Sequence, residues 1–184
     1  LPDALEAEIE RELAQPWHCV EARRLGKVRR LEDAAGRYIE FCKRTFPNEF
    51  DLKGLKVVVD SANGAAYHVA PHVFHELGAD VVWHGASPNG MNINDGVGST
   101  HLGLLAKTGV ETGAHLGIAH DGDADRCLAV DAAGNIIDGD QIMAILALSM
   151  KERGLLTHDT LVATVMSNLG LRLAMAEKGI TMLE

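Results

Sequence analysis

The chain has 184 residues, enough for one full domain plus part of another, or for one large domain with a sizeable core. A composition of 47% apolar and 23% charged residues is that of a folded globular chain and excludes a disordered one. Seventeen basic against twenty-six acidic side chains leave a formal charge of -9, which would repel a nucleic-acid backbone or an anionic membrane surface, so neither is expected as a partner.

Cys19, Cys42 and Cys127 stand far apart with no CxxC spacing. That argues against a disulfide framework and a zinc knuckle, and a reducing, cytoplasmic location is expected. No apolar run approaches the roughly 20 residues needed to span a bilayer, and Leu1-Pro2-Asp3 does not resemble a signal peptide. The chain opens without Met and closes at Met182-Leu183-Glu184, directly after what reads as the start of a strand, so it is expected to be a piece cut at both ends from a longer protein.

In chain order, Asp3 is predicted to cap a helix with Glu6 at its third position and Leu5, Ile9 and Leu13 on one side, ended by Pro16. Residues 17–30 read as an irregular linker with Arg23, Arg24, Lys27, Arg29 and Arg30 clustered. That cluster is expected to form salt bridges at a domain boundary. A second helix follows over about 32–45 until Pro47. The β-branched run 55–60 predicts a strand, and Ser61-Ala62-Asn63-Gly64 a tight turn into a helix ending near Gly78. A strand over 80–84 leads into a long polar, glycine-rich stretch, 85–99, of a length that usually carries function. Ser99 or Thr100 is expected to cap a helix over about 101–108, and 115–119 reads as a third strand. A hairpin is predicted from 127–131 and 135–137 around Ala132-Ala133-Gly134. Asp138 and Gln141 form a capping box for an apolar helix to Met150, and a strand over 160–166 and a helix over 169–178 complete the pattern. The alternation predicts an α/β fold with a parallel or mixed sheet. Residues 1–30 are expected to be a helix and linker from a preceding domain, 31–135 an α/β domain, and 136–184 the start of a following α/β domain.

The feature richest in chemistry is Asp121-Gly122-Asp123-Ala124-Asp125-Arg126, directly after the third strand. In an extended segment residues i, i+2 and i+4 share one face, so the three carboxylates should converge. Three like charges together are relieved by a hard divalent cation that takes an oxygen from each, and magnesium fits best because it keeps positions open for water or phosphate. Arg126 adds a planar donor for a phosphate oxygen or a carboxylate. An EF-hand is excluded, since counting from Asp121 the sixth and twelfth positions are Arg126 and Ala132 rather than Gly and Glu. A haloacid-dehalogenase-like phosphatase, with Asp121 as nucleophile and Asp123 as acid, remains an alternative, although it leaves Asp125 and Arg126 unexplained. A non-catalytic metal-binding module is a second alternative.

Three other groups weigh less. Ser61 to Ala66 reads as a plain βα turn, and Ser99-Thr100-His101 as helix-capping chemistry. His68, His72 and His75 could mimic zinc ligands at helical spacing, but Pro71 belongs in a first helical turn and would leave His68 outside the helix.

The string Gly117-Ile118-Ala119-His120-Asp121-Gly122-Asp123-Ala124-Asp125-Arg126 is similar to the metal loop of the α-D-phosphohexomutases. Residues 59–66 (VDSANGAA), 89–94 (NGMNIN) and 164–170 (TVMSNLG) resemble the phosphoglucosamine mutase branch of that family. Val97 departs from the Cys found in many members of the branch. The resemblance implies a three-layer α/β/α domain with a mixed sheet, followed by a truncated second domain of the same type. It also implies an isomerase of amino-sugar and cell-wall precursor synthesis, in which phosphoserine and magnesium convert glucosamine 6-phosphate to glucosamine 1-phosphate through a bisphosphate. On that resemblance Asp121, Asp123 and Asp125 bind Mg2+, and Arg126 lies at the phosphoryl-transfer centre as a catalytic residue. The partners implied are a phosphosugar and the remaining domains of the parent enzyme. The phosphoserine loop would precede Leu1, and the sugar-recognition and phosphate-binding parts would follow Glu184, so the segment by itself is expected to be inactive.

Overall fold

The computed structural model describes residues 2–184, and the chain divides into two compact units after Glu32. In the first unit, helix α1 spans Asp3–Leu13. Pro2, not Asp3, is its N-cap: the ring fixes Pro2 in an extended conformation (φ -64°, ψ 139°), and Asp3 becomes the first helical residue. There Asp3 and Glu6 still favour the positive end of the helix dipole. Leu5, Ile9 and Leu13 line one side of α1 as expected, and all three are exposed. The rest of the unit is irregular apart from a single 3-10 turn at Ala22–Arg24. In the basic cluster Arg23 pairs with Glu21 at 2.6 Å.

The second unit begins with helix α2, Ala34–Lys43, shorter at both ends than the pattern suggested. Its centre is a mixed sheet in the order β2-β1-β3-β4-β5, formed by Lys56–Asp60 (β1), Asp80–His84 (β2), Leu116–His120 (β3), Cys127–Asp131 (β4) and Ile136–Ile137 (β5). β1 is parallel to β2 and β3, and β4 is antiparallel to β3 and β5. Alternation along β1 divides its side chains between two cores. Val58 packs with Leu102, Leu105, Ala119 and Val130. Val57 and Val59 pack on the other face with Ala70, Ala79, Phe74 and Ile118. Helices α3 (Ala70–Glu76) and α4 (Gly103–Thr112) therefore cover opposite faces, which gives the three-layer α/β/α arrangement.

Two helix starts differ from the sequence reading. The helix after the first turn is broken, with a 3-10 turn at Ala65–His68 and α3 beginning at Ala70 with Pro71 in its first turn. His68 is thereby left outside α3, and the three histidines do not form a common helical face. α4 is capped by neither Ser99 nor Thr100. The Ser99 N–H donates to the His120 carbonyl (2.9 Å), and the N-cap position falls instead on the buried Leu102. It runs past the expected end to Thr112, where Gly113 takes the left-handed conformation (φ 64°).

Beyond β5, α5 (Gly139–Glu152) opens with the predicted capping box. The Asp138 carboxylate accepts from Gln141 N at 2.8 Å, and Gln141 Oε1 accepts from Asp138 N at 2.9 Å. α6 (Leu169–Glu177) is capped by Asn168, which accepts from Leu171 N, and ends before Gly179 in the left-handed conformation. β6 (Thr160–Val162) and β7 (Thr181–Leu183) pair in parallel as a second sheet. Ala147, Leu171, Met175 and Ile180 form the core of this region. β6 ends sooner than its apolar run, because a turn from Ser167 N to Thr164 O carries Val165 and Met166 out into solvent. Among the described residues no helix is long and apolar enough to cross a membrane.

Candidate metal centre

β3 delivers Asp121 to the carboxyl end of the sheet, the place where open α/β sheets keep their ligands. The chain does not stay extended there, so the carboxylates do not converge by simple alternation. Ala124 N donates to the Asp121 carbonyl (3.1 Å), closing a turn, and Ala124 adopts a left-handed conformation (φ 60°). The turn curls the loop so that one carboxylate oxygen each from Asp121, Asp123 and Asp125 lie within 4.8 Å of one another. Asp121 is buried, at 3% exposure, while Asp123 and Asp125 are exposed. Hard oxygen donors only, one rooted in the sheet and two facing solvent, suit a divalent cation that keeps part of its shell open.

Arg126 is fastened to this cluster. Its Nε donates to Asp121 Oδ2 at 2.6 Å and to Asp125 Oδ1 at 3.3 Å, and its backbone N–H donates to Asp121 Oδ1 at 3.2 Å. Burial opposes the ionised form of Asp121, but the hydrogen bonds from the Arg126 side chain and backbone overcome it and hold the Asp121 pKa below the ordinary carboxylate value. Asp125 is pushed the other way, first by its hydrogen-bonded contact with Asp121, then by burial and the charges of Asp123 and Asp121. That opposition is what three crowded carboxylates produce, and a cation removes it. Asp121 raises the Arg126 pKa in turn, so the guanidinium stays charged. The Arg126 side chain is 73% exposed, and its terminal nitrogens make no protein hydrogen bond among the described residues. Part of its donor fork is therefore free for an incoming anion.

The turn after β1 buttresses this loop, a role that the sequence reading missed by treating 61–66 as a plain connection. Ala65 N donates to the Gly122 carbonyl (2.8 Å), and Gly64 packs directly against the Gly122 backbone. Asp60 is fully buried; its Oδ1 accepts from Ala62 N (2.9 Å) and its Oδ2 from Gly98 N (2.8 Å). The Asp60 carboxylate thus joins the turn to the long loop 85–99, which is also held by Asn94 N donating to the Ala62 carbonyl (2.8 Å). Ile93 and Asn94 of that loop lie over Gly122. The signal in the sequence was an acid at the end of an otherwise apolar buried strand. His120, next to Asp121, has its pKa lowered chiefly by burial, against a backbone hydrogen bond with Asp60 and the charges of Asp121 and Asp60.

The other candidates do not assemble into sites. Asp121, Asp123 and Asp125 make up the one cluster of three or more metal-ligating side chains among the described residues. The rings of His68 and His72 lie 5.5 Å apart and that of His72 lies 5.0 Å from Trp83, without His75. Thr100 Oγ1 and His101 Nδ1 are 3.1 Å apart, and Ser99 is tied through its backbone to His120. All three cysteines are free.

Comparison with known proteins places this arrangement. The family model for phosphoglucomutase/phosphomannomutase alpha/beta/alpha domain II matches residues 36–134, and that for domain III matches residues 138–184. A phosphoglucosamine mutase of Azoarcus sp. is 54% identical over 98% of this chain and 40% of its own length. One of Shewanella baltica is 58% identical over 95% of this chain and 39% of its own length. The crystal structure of a phosphoglucomutase/phosphomannomutase family protein from Burkholderia thailandensis superposes with a TM-score of 0.64 at 27% identity, covering 81% of this chain and 32% of that one. The chain spans about 40% of the length of the curated relatives it matches. Its acidic loop, its three-layer sheet domain and the region that follows belong together, and the chain is a member of the phosphoglucomutase/phosphomannomutase family.

Proposed function

We propose that these residues form the metal-loop part of a phosphoglucosamine mutase, whose whole chain interconverts glucosamine 6-phosphate and glucosamine 1-phosphate through a phosphoserine and a bisphosphate. The observation that carries the reading is the convergence of three carboxylates beside a charged arginine with free donors, in a chain whose relatives at 54% and 58% identity bear that name. Asp121, Asp123 and Asp125 are the groups that would hold magnesium. Each Asp121 oxygen already accepts one hydrogen bond from Arg126 and keeps a further lone pair for an ion. Bound there, the ion supplies charge stabilisation to a transferring phosphoryl group. Arg126, held in place by Asp121, directs its remaining N–H groups at phosphate oxygens and serves as the catalytic cation of this chain. The dehalogenase-type phosphatase reading is not favoured, because it gives Asp125 and Arg126 no task and belongs to another family. The same proposal includes a domain boundary near 135/136, a cytoplasmic location, a phosphosugar substrate, the other domains of the parent as partners, and no turnover by these 184 residues alone.

Calorimetric titration of Mg2+ into the chain and into Asp123→Asn tests the site. We expect binding that the variant weakens about tenfold or more, since one of three anionic ligands becomes neutral. Equal affinity in Asp121→Asn, Asp123→Asn, Asp125→Asn and the unaltered chain would remove the metal site. In the full-length parent, phosphoryl label should be found on a serine outside these residues, and label on Asp121 would restore the phosphatase reading.

A further inference from the structure

Asparagine is followed by glycine twice in the chain, at Asn63-Gly64 and Asn89-Gly90. Such a pair is chemically distinctive, because glycine has no side chain to keep its amide nitrogen away from the carboxamide carbon of the residue before it. The other asparagines precede Glu49, Ile93, Asp95, Ile136 and Leu169, whose side chains obstruct that approach. The structure separates the two pairs. Asn63 is partly buried and both ends of its carboxamide are engaged: Oδ1 accepts from Ser87 N (3.0 Å), and Nδ2 donates to the Asn92 carbonyl (3.3 Å). Gly64 is buried against Gly122, and its N–H donates to the Ser61 carbonyl (2.8 Å).

Asn89 and Gly90 are both exposed, and a methyl built on Gly90 would meet nothing within 4 Å. The Gly90 N–H has no hydrogen-bond partner among the described residues, so a base in the solvent reaches it unopposed. Asn89 Nδ2, the group that would leave, is not held by the protein either. Asn89 Oδ1 accepts from Met91 N (2.8 Å), which folds the carboxamide back over the following peptide. When the Gly90 nitrogen attacks the carboxamide carbon, negative charge builds on that same oxygen, where the Met91 N–H already points.

We infer that Asn89-Gly90 is a self-modification site, at which the loop 85–99 converts an amide to an acid, while the fold keeps Asn63-Gly64 intact. Solvent base takes the Gly90 amide proton, and the nitrogen forms a bond to Asn89 Cγ. The Cγ–Nδ2 bond breaks, Nδ2 leaves with a proton as ammonia, and a cyclic imide is closed. Water then adds to one of the two imide carbonyls. Opening at the side-chain carbonyl leaves aspartate at position 89, and opening at the main-chain carbonyl leaves isoaspartate. One water is consumed, one ammonia is released, and nothing is oxidised or reduced. Both products add a negative charge to the loop. Isoaspartate also lengthens the main chain by one carbon beside Asn92, whose Oδ1 accepts from Asn89 N (2.9 Å) and whose Nδ2 donates to the Ser87 carbonyl (3.0 Å). The inference does not depend on the metal or on the mutase reading.

The test incubates the unaltered 184-residue chain in mildly alkaline buffer and follows both pairs by peptide mapping with mass spectrometry. Asn89 should show the mass change of amide to acid about tenfold or more faster than Asn63, whose route must first open its hydrogen bonds and the Gly64 packing. Isoaspartate should form together with aspartate, read by enzymatic methylation of the isoaspartyl carboxyl group, and the rate should rise with pH as more of the Gly90 amide is deprotonated. In denaturant, where neither pair is held, the two rates should converge. Equal rates in the folded chain, faster loss at Asn63, aspartate without isoaspartate, or a rate gap undiminished in denaturant overturns the inference.

Discussion

Replacing Gly64 by Ala isolates the contact that supports the acidic loop. Gly64 has φ -102° and ψ -159°, backbone angles open to any L residue, so the substitution meets no torsional penalty. The obstacle is a neighbour: an added methyl would lie 2.1 Å from the Gly122 carbonyl oxygen and 2.7 Å from its carbon and Cα. All three atoms are backbone, so no rotamer change relieves the clash, and the loop must shift away. That shift costs about 1–3 kcal/mol of overpacking, and it also breaks the Ala65 N–H to Gly122 carbonyl bond, worth about 1 kcal/mol. The sum, about 2–4 kcal/mol, corresponds to a fall of roughly 5–15 °C in melting temperature. Differential scanning calorimetry measures it, with Gly36→Ala as control. Gly36 lies in α2 with nothing within 4 Å of its added methyl, so the same chemical change there should stabilise by about 0.5–1 kcal/mol. Mg2+ titration of Gly64→Ala should show weakened binding as Asp121 and Asp123 are pulled apart. Unchanged melting and unchanged affinity would refute the claim that the turn after β1 supports the loop.

Ala124→Gly should raise stability by about 1 kcal/mol in urea unfolding, because φ 60° is strained for Ala and free for Gly. Asp131 in the hairpin turn accepts from the Asn135 side chain and backbone and from Ala133 N, and those bonds, the Asn135 ones above all, hold its pKa below the ordinary value against the opposing effect of burial. Its contribution to stability is therefore full above the unfolded pKa of about 3.9 and disappears as pH falls through the lower folded value. Asp131→Asn should melt below the unaltered chain at pH 7, with the gap closing in acid; a gap independent of pH would contradict this. Asp138→Ala removes the cap of α5 and should cost about 1 kcal/mol, read by chemical denaturation.

The sheet domain was legible because its strands are short apolar runs, β-branched in β1 and β2, with turn residues between them, and β2 and β4 fall where the pattern put them. The capping box at Asp138 and Gln141 was legible because both partners are local. Helix starts were less so: Ser99 and Thr100 have capping chemistry, yet the Ser99 amide is drawn to His120 across the chain, and no local pattern carries that information. The acidic loop was identified from its spacing, but extended alternation was the wrong route to convergence, since a left-handed residue at Ala124 is not signalled by an alanine. Asp60 was hidden for the opposite reason, reading as the end of a strand when it is a buried acceptor for two loops.

The acidic loop is moored chiefly through amides and carbonyls of its neighbours. Gly122 is caught by Ala65, and the carbonyl of His120 by Ser99. Outward side chains of the overlying segment such as Met91 take no part in these ties. Replacing them would alter the shape and polarity of the rim that an approaching molecule meets while the carboxylates beneath stay in register, so the entrance can be redesigned separately from the chemistry it admits.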